Sequence, residues 1–407
     1  MIKENSPQND KNKDVTSTRE MNSFERYFLG VPLKKIHTLI PGLLFLSLLA
    51  FFCIFLSNFI GITLMGYKKS PISPVMIILL IGMLINNLIK LPEVLTAGFK
   101  FAVKKLLRLG IILLGIRMSI FAVFELGIIG VPIVVGCIVS ALVITSYFNK
   151  ILHQPKRLGT LIAVGTSICG VSAIVAASPV IDANEEETAY AVSVITVFGL
   201  IAVITYPIIA YFLFGGNPIK AGLWLGTSIH DTSQVTGAAI VFSDMWDLPL
   251  ALDVAIVSKL VRNVFMILVI PIMAYYYTKY IREEEITSSS GDNIVKQKTN
   301  LLKLFPMFVI GFLIMACIRS IGDYGIHSSN AAFLYIDMKT WNNIVSTTTQ
   351  WATILFVVAL GGVGLTTRFS KFKDLGIKPF LVGLSAALTI GFISFILISL
   401  IGGFIVI

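Results

Sequence analysis

The sequence predicts an all-α polytopic membrane protein of about 11 transmembrane helices, two of them interrupted or re-entrant. Three observations carry this. Of 407 residues, 56% are hydrophobic and only 13% are charged, whereas a soluble domain carries about 25% charge. Apolar runs approaching the length of a span, about 20 residues each, follow one another from His37 to the C-terminus. The charge that exists is lopsided, with 32 Lys+Arg against 22 Asp+Glu and a net +10, and the basic residues fall between the apolar runs. Basic loops between apolar runs are the pattern of cytoplasmic membrane loops. A soluble enzyme, a nucleic-acid binder and a disordered protein are excluded on these grounds.

The elements follow in order. Residues 1–35 are polar and read as a disordered cytoplasmic N-terminal tail, with no apolar core of a cleavable signal. Residues 36–407 form a single transmembrane domain. Its runs are Leu39–Ser57, Val75–Ile89, Leu106–Phe121, Gly127–Tyr147, Leu158–Ile181 and Ala189–Leu213 in the first part. Leu223–Val241, Leu250–Tyr277, Leu302–Ile321, Ala352–Thr366 and Phe380–Ile407 follow. A cytoplasmic loop at 282–300, with Thr287–Asn293 at its centre, separates the eighth run from the ninth. With the N-terminus inside, Lys90 to Arg108, Lys150 to Arg157, Lys220, Lys279 to Lys303 and Arg368 to Lys378 all fall inside. The acidic stretches Asp182–Glu187 and Asp244–Asp247 fall outside. The positive-inside rule therefore favours eleven crossings, with the C-terminus outside.

Function is sought where the apolar pattern breaks, because polar groups at membrane depth are expensive and face interior cavities. The fifth run contains Gly165-Thr166-Ser167-Ile168-Cys169-Gly170-Val171-Ser172. The seventh contains Gly226-Thr227-Ser228-Ile229-His230-Asp231-Thr232-Ser233-Gln234-Val235-Thr236-Gly237. Polar residues of the second segment occupy every face of a helix, so no rotation hides them from lipid. An interrupted helix lining a cavity solves this. Unwound backbone then offers N–H groups, and a following half-helix adds its positive end. Small polar residues also serve at close helix crossings, but packing does not account for His230 and Asp231. Thr166, Ser167, Gly170, Ser172, Thr227, Ser228 and Ser233 are the candidate substrate-binding residues, a two-sided cradle for a small anion.

Lys259 and Arg262 stand three apart in the eighth run and share a helix face. They complete the candidate set by balancing an anion's charge, or by pairing with Asp231. His230 and Asp231 are the candidate ion-coupling residues, for H+ through a histidine that titrates near neutral pH or for Na+. No cofactor is called for, and Cys53, Cys137, Cys169 and Cys317 show neither disulfide nor metal spacing. Residues 109–117 echo 360–368 in opposite directions, as inverted repeats do. The two Gly-Thr-Ser-Ile segments run the same way in the eleven-span count and do not fit that duplication. A hairpin counted as a span would resolve the conflict.

Through Gly-Thr-Ser-Ile-Cys-Gly-Val-Ser-Ala-Ile, Ser-Ile-His-Asp-Thr-Ser-Gln-Val-Thr-Gly-Ala-Ala, Glu-Thr-Ala-Tyr-Ala-Val and Lys259-Leu260-Val261-Arg262, the sequence resembles the YeiH-type family of bacterial membrane proteins. That family is labelled as sulfate exporters. The longer polar N-terminus and the Thr287–Asn293 loop are departures from it. The resemblance implies a multi-pass protein of the bacterial inner membrane, with a transporter fold related to elevator-type carriers.

The expected function is secondary transport of a small anion, a sulfate-like oxyanion or a small sulfonate or carboxylate. The expected partners are that anion, the bilayer and a second copy in a homodimer. An alternative is a cation/proton antiporter using Asp231; a channel and an intramembrane enzyme are further alternatives. The enzyme is disfavoured because adjacent His230 and Asp231 diverge on a helix and no nucleophile elbow appears.

Overall fold

The computed structural model describes residues 33–66, 70, 72–277, 306–329, 331–367 and 377–401. The expected N-terminal tail and the 282–300 loop lie almost wholly outside these. Among the described residues, seven helices are long and apolar enough to cross a membrane. This is the all-α, multi-pass membrane architecture that the composition predicts.

α1 (Ile40–Asn58) carries Pro41 in its first turn, where proline lacks only a donor that would be orphaned anyway. α2 (Pro74–Leu88) starts the same way. α3 (Thr96–Phe101) and α4 (Leu107–Leu114) form one bent rod joined by a π-helical turn, Ala102–Leu106. α5 (Ile120–Ile151) is capped by Ser119, whose hydroxyl accepts from Ala122 N. α6 (Lys156–Ser167), α7 (Val171–Ala177), α8 (Glu185–Phe214), α9 (Pro218–Ser228) and α10 (Thr232–Trp246) contain both interrupted runs. α11 (Leu250–Val264) continues into α12 (Met266–Tyr276). α13 (Phe308–Ser329) and α14 (Met338–Thr366) are joined by a two-stranded hairpin, β1 (Ala331–Ala332) and β2 (Ile336–Asp337). α15 is Ile377–Ile401.

Two groups of helices emerge from the packing. The first holds α1 to α4, α13 and α14, where small residues let backbones approach. Gly42 meets Gly98, Gly82 meets Gly361 and Gly364, and Gly110 meets Phe356. The echo between 109–117 and 360–368 falls here, on two antiparallel helices that pack on each other. The second group holds α5 to α12 and α15. Here Trp224 Nε1 donates to Gly391 O at 2.8 Å, and the Thr227 and Ser394 hydroxyls meet at 2.6 Å. The groups touch mainly where α10 meets α2 and α14, and where α5 meets α13.

Both interrupted runs turn back on themselves. α6 is 12 residues long, about 18 Å at 1.5 Å per residue, too short for an apolar layer of about 30 Å. It ends at Ile168-Cys169-Gly170, and Gly170 takes φ 69°, a left-handed conformation that glycine adopts without a Cβ penalty. α7 then returns. Arg157, at the start of α6, donates to Asp182 O at 3.1 Å beyond the end of α7, and to Tyr277 Oη at 2.8 Å. α9 runs alongside α11 in the same direction, with Gly222 against Ala251 and Gly226 against Ala255. α10 runs opposite to α11: Asn263 Nδ2 donates to Thr232 Oγ1 at 3.2 Å, while Trp246 leads straight back to Leu250. Trp246 stacks on Tyr211 at 4.5 Å, near the loop from which α9 began. α8 joins the base of one hairpin to the base of the other, so the two enter from opposite ends of the molecule.

This corrects the sequence-based topology. The fifth and seventh runs are re-entrant rather than crossing. Asp182 therefore lies at the same end as Arg157, not across from it. The Gly215–Lys220 loop shares an end with Trp246. The two Gly-Thr-Ser-Ile segments point in opposite directions, as an inverted duplication requires and as the eleven-crossing count did not allow.

Candidate functional site

The hairpin tips meet in the middle of the second group. A Cβ on Gly170 would stand 3.2 Å from Asp231 Cα, so the tips are in van der Waals contact. α6 and α9 each end there with unpaired carbonyls, and the helix dipole makes those ends negative. Two cations of α11 meet them, both fully buried. Lys259 Nζ donates to Ile168 O at 2.9 Å on the first tip, and to Ile229 O at 2.9 Å and His230 O on the second. Arg262 donates from Nε to Ser167 O at 2.8 Å and from Nη2 to Thr166 O. Its Nη1 reaches Thr227 O at 2.7 Å and Ile229 O at 3.2 Å. Buried charges need this many partners to offset desolvation.

The pair thus fastens one tip to the other. The expectation that Lys259 and Arg262 turn their donors on an anion is replaced by donation to backbone carbonyls. Thr166, Ser167, Thr227 and Ser228 enter this clamp through their neighbourhood and not their hydroxyls. Ser167 Oγ donates to Val164 O at 3.0 Å, Thr227 Oγ1 to Leu223 O at 2.6 Å and Ser228 Oγ to Trp224 O at 2.5 Å, all within their own helices. Three buried polar atoms beside the clamp have no protein partner among the described residues: Thr166 Oγ1, His230 Nδ1 and Asn263 Oδ1.

The opposite ends of the break face open space. A cavity of about 660 Å³ lies between the two helix groups, within the size range of small-molecule sites. From the second group it is lined by Ser172 at the start of α7, Ser193 and Thr196 of α8, and Asp231, Thr232, Ser233 and Gln234 at the start of α10. From the first group come Lys104, Arg108, Phe308, Thr366 and Thr367. Asp231 is the N-cap of α10: its Oδ1 accepts from Ser233 N at 2.9 Å and Ser233 Oγ at 2.5 Å, and Gln234 reciprocates toward Asp231 N. This capping box fixes the carboxylate at the cavity wall. Asn86 and Asn87 each donate to Thr367 O at 3.0 Å and close the end of α14 beside it.

Of the residues picked from sequence, Ser172, Ser233 and Asp231 line the cavity, Gly170 shapes a tip, and His230 is buried behind it. Lys104, Arg108, Ser193, Thr196 and Gln234 join the lining without having been candidates in the sequence. A signal for two of them existed: Ser193 and Thr196 stand three apart on α8, the spacing that drew attention to Lys259 and Arg262. They also hold nearly the same helix position, the ninth and twelfth residues of α8 against the tenth and thirteenth of α11.

A family model described as Conserved hypothetical protein 698 matches residues 41–383 of this architecture, including both hairpins and the clamp. The chain belongs to the Conserved hypothetical protein 698 family. Its relatives in that family are membrane proteins by name. It is 34% identical over 357 residues to a UPF0324 membrane protein of Clostridium tetani, covering 87% of this chain and 95% of the relative. A UPF0324 membrane protein of Fusobacterium nucleatum is 31% identical over 331 residues, covering 80% and 90%. One from Streptococcus agalactiae is 28% identical over 363 residues, covering 89% and 98%. No solved structure matches. The match to the family extends beyond the hairpins to nearly the whole helical region, whereas the names of the relatives give no cargo.

Proposed function

We propose that the protein is a secondary transporter of a small anion, a sulfate-like oxyanion or a small sulfonate or carboxylate, in the bacterial cytoplasmic membrane. The observation that carries this reading is the pair of oppositely directed hairpins whose helix starts open onto a cavity between two helix groups. Half-helix N-termini aimed at a midplane site are how transporters hold anionic groups.

The second group acts as the carrier and the first as a fixed scaffold, an elevator arrangement. The polypeptide crosses nine times, with the two hairpins entering from opposite faces. The end bearing Lys104, Arg108 and Arg157 is cytoplasmic, and the N-terminus with it. Asp231 is the coupling carboxylate for H+ or Na+, because it faces the cavity whereas His230 does not. A homodimer would anchor the scaffold. That same Asp231 also supports a second reading, a cation/proton antiporter, since it is the only carboxylate lining the cavity among the described residues.

Reconstitution in liposomes separates the two. Under the anion reading, labelled sulfate or a competing sulfonate or carboxylate is taken up saturably and follows a pH or Na+ gradient. Asp231→Asn uncouples that uptake from the gradient but leaves anion-dependent thermal stabilisation in place. Cation exchange with no anion dependence would instead establish the antiporter.

A further inference from the structure

The charges around the cavity are sorted by wall. On the carrier wall stand hydroxyls, the Gln234 amide and the Asp231 carboxylate; on the scaffold wall stand Lys104 and Arg108 and, among the described residues, no carboxylate. Lys104 and Arg108 are both exposed and stand four apart, on one face of the α3–α4 rod. Lys104 belongs to the π-helical turn Ala102–Leu106, a deformation often found at functional sites. The Arg108 guanidinium lies over the Phe308 ring at 6.0 Å, which fixes it at the cavity rim.

We propose that Lys104 and Arg108 are the anion-recognition residues of one transport state only, and so give the carrier a higher affinity for its cargo at one face than at the other. The inference rests on the transporter reading above. While the cavity is open to the cation-rich end, an anion held against Ser172 and the start of α10 also feels both scaffold cations. When the carrier group moves to the other face it takes the hydroxyls and Asp231 along and leaves the cations behind. A ligand shifts a conformational equilibrium by its differential affinity for the two states. The anion therefore binds more tightly, and is captured faster, from the cation-rich end. Release at the far face is eased by the loss of two charges.

The test uses the full-length protein in membrane vesicles of both orientations, with labelled sulfate as the probe and a small sulfonate and a small carboxylate as competitors. Lys104→Gln with Arg108→Gln should raise KM at the cation-rich face by about tenfold, the lower end of what a charged cleft contributes to capture. KM at the opposite face should stay as in the wild type. The tenfold difference should shrink as ionic strength rises, since exposed charges are screened beyond about 8 Å at physiological salt. Arg108→Lys in an otherwise native chain should retain most of the effect, because the charge is kept. Equal KM shifts at both faces, or no shift with wild-type uptake intact, would overturn the inference and leave the transporter reading standing. Absence of saturable anion uptake by the wild type from either face would overturn both.

Discussion

At the scale of single residues, the site is organised by backbone carbonyls as much as by side chains. Gly170 is the sharpest case. Its φ of 69° is left-handed, and a Cβ there would press on Asp231 at 3.2 Å. Gly170→Ala should lower stability by about 1–3 kcal/mol for the conformation alone, read as a fall in Tm by fluorescence-detected gel filtration. An unchanged Tm would mean that the tip adopts another shape. Arg262 supplies a second test. Its planar fork reaches four carbonyls on two hairpins, and a lysine has three donors radiating from one point. Arg262→Lys should therefore destabilise by about 1–3 kcal/mol, the penalty for a buried polar group left unpaired, despite conserving charge. Wild-type Tm in that variant would show that charge alone matters. These two cations were legible in the sequence because charge inside an apolar run is conspicuous. Their targets were not, since a carbonyl belongs to every residue and leaves no mark in the sequence. Ser193 and Thr196 had only their spacing as a signal, since isolated hydroxyls in an apolar helix are common and ordinarily donate to the carbonyl four residues back, as both do here.

At the scale of elements, helix ends decide the topology. The long apolar runs and their order were readable, and so were the two interruptions. Whether they return stayed open between an interrupted crossing and a hairpin, because a run of this length fits a crossing and a folded pair of half-helices equally well. What distinguishes them is one left-handed glycine, one Asp231 cap and the contacts of Arg157, and those contacts come from distant parts of the chain. Sidedness labelling checks the result. In a background with the native cysteines replaced, Lys156→Cys and Glu186→Cys should react with an impermeant thiol reagent from one and the same face. Lys220→Cys and Leu250→Cys should react from the other. Labelling of positions 156 and 186 from opposite faces would restore the eleven-crossing topology. A smaller element offers a pH test. Asp337 caps α14, accepting from Thr340 N at 3.1 Å and Thr340 Oγ1 at 2.6 Å, and these bonds hold its carboxyl below the usual range. A depressed pKa means that the cap's contribution is present above the unfolded value and lost as pH falls through the folded one. The protection of the Lys339 to Trp341 amides, their exchange taken relative to the intrinsic rate at each pH, should fall on acidification through that point, and Asp337→Asn should abolish this loss of protection. Protection without a break in its pH profile would count against the cap.

At the scale of the whole molecule, the two helix groups differ in how they are built. The clamp joins both hairpins to α11, so the two hairpins and α11 hold together; Lys259 and Arg262 would otherwise lose their carbonyls. The first group has no such buried cations bridging its helices among the described residues and is closed by glycine contacts instead. The seam between them includes Leu360 of α14 packed over Gly237 of α10 at 3.3 Å from an added Cβ, and the Arg117–Asp253 ion pair at 2.8 Å. Under the proposed elevator arrangement, the carrier slides at this point. Gly237→Cys with Leu360→Cys, bridged by a short thiol-reactive cross-linker, should therefore stop anion flux, and a cleavable linker should restore it on reduction. Binding from the cation-rich face should persist in the bridged protein, because the cavity as described already lies open between Arg108 and Ser172. Flux that continues unchanged across the bridge would mean that the groups do not move past each other, and that the anion passes through a fixed path instead.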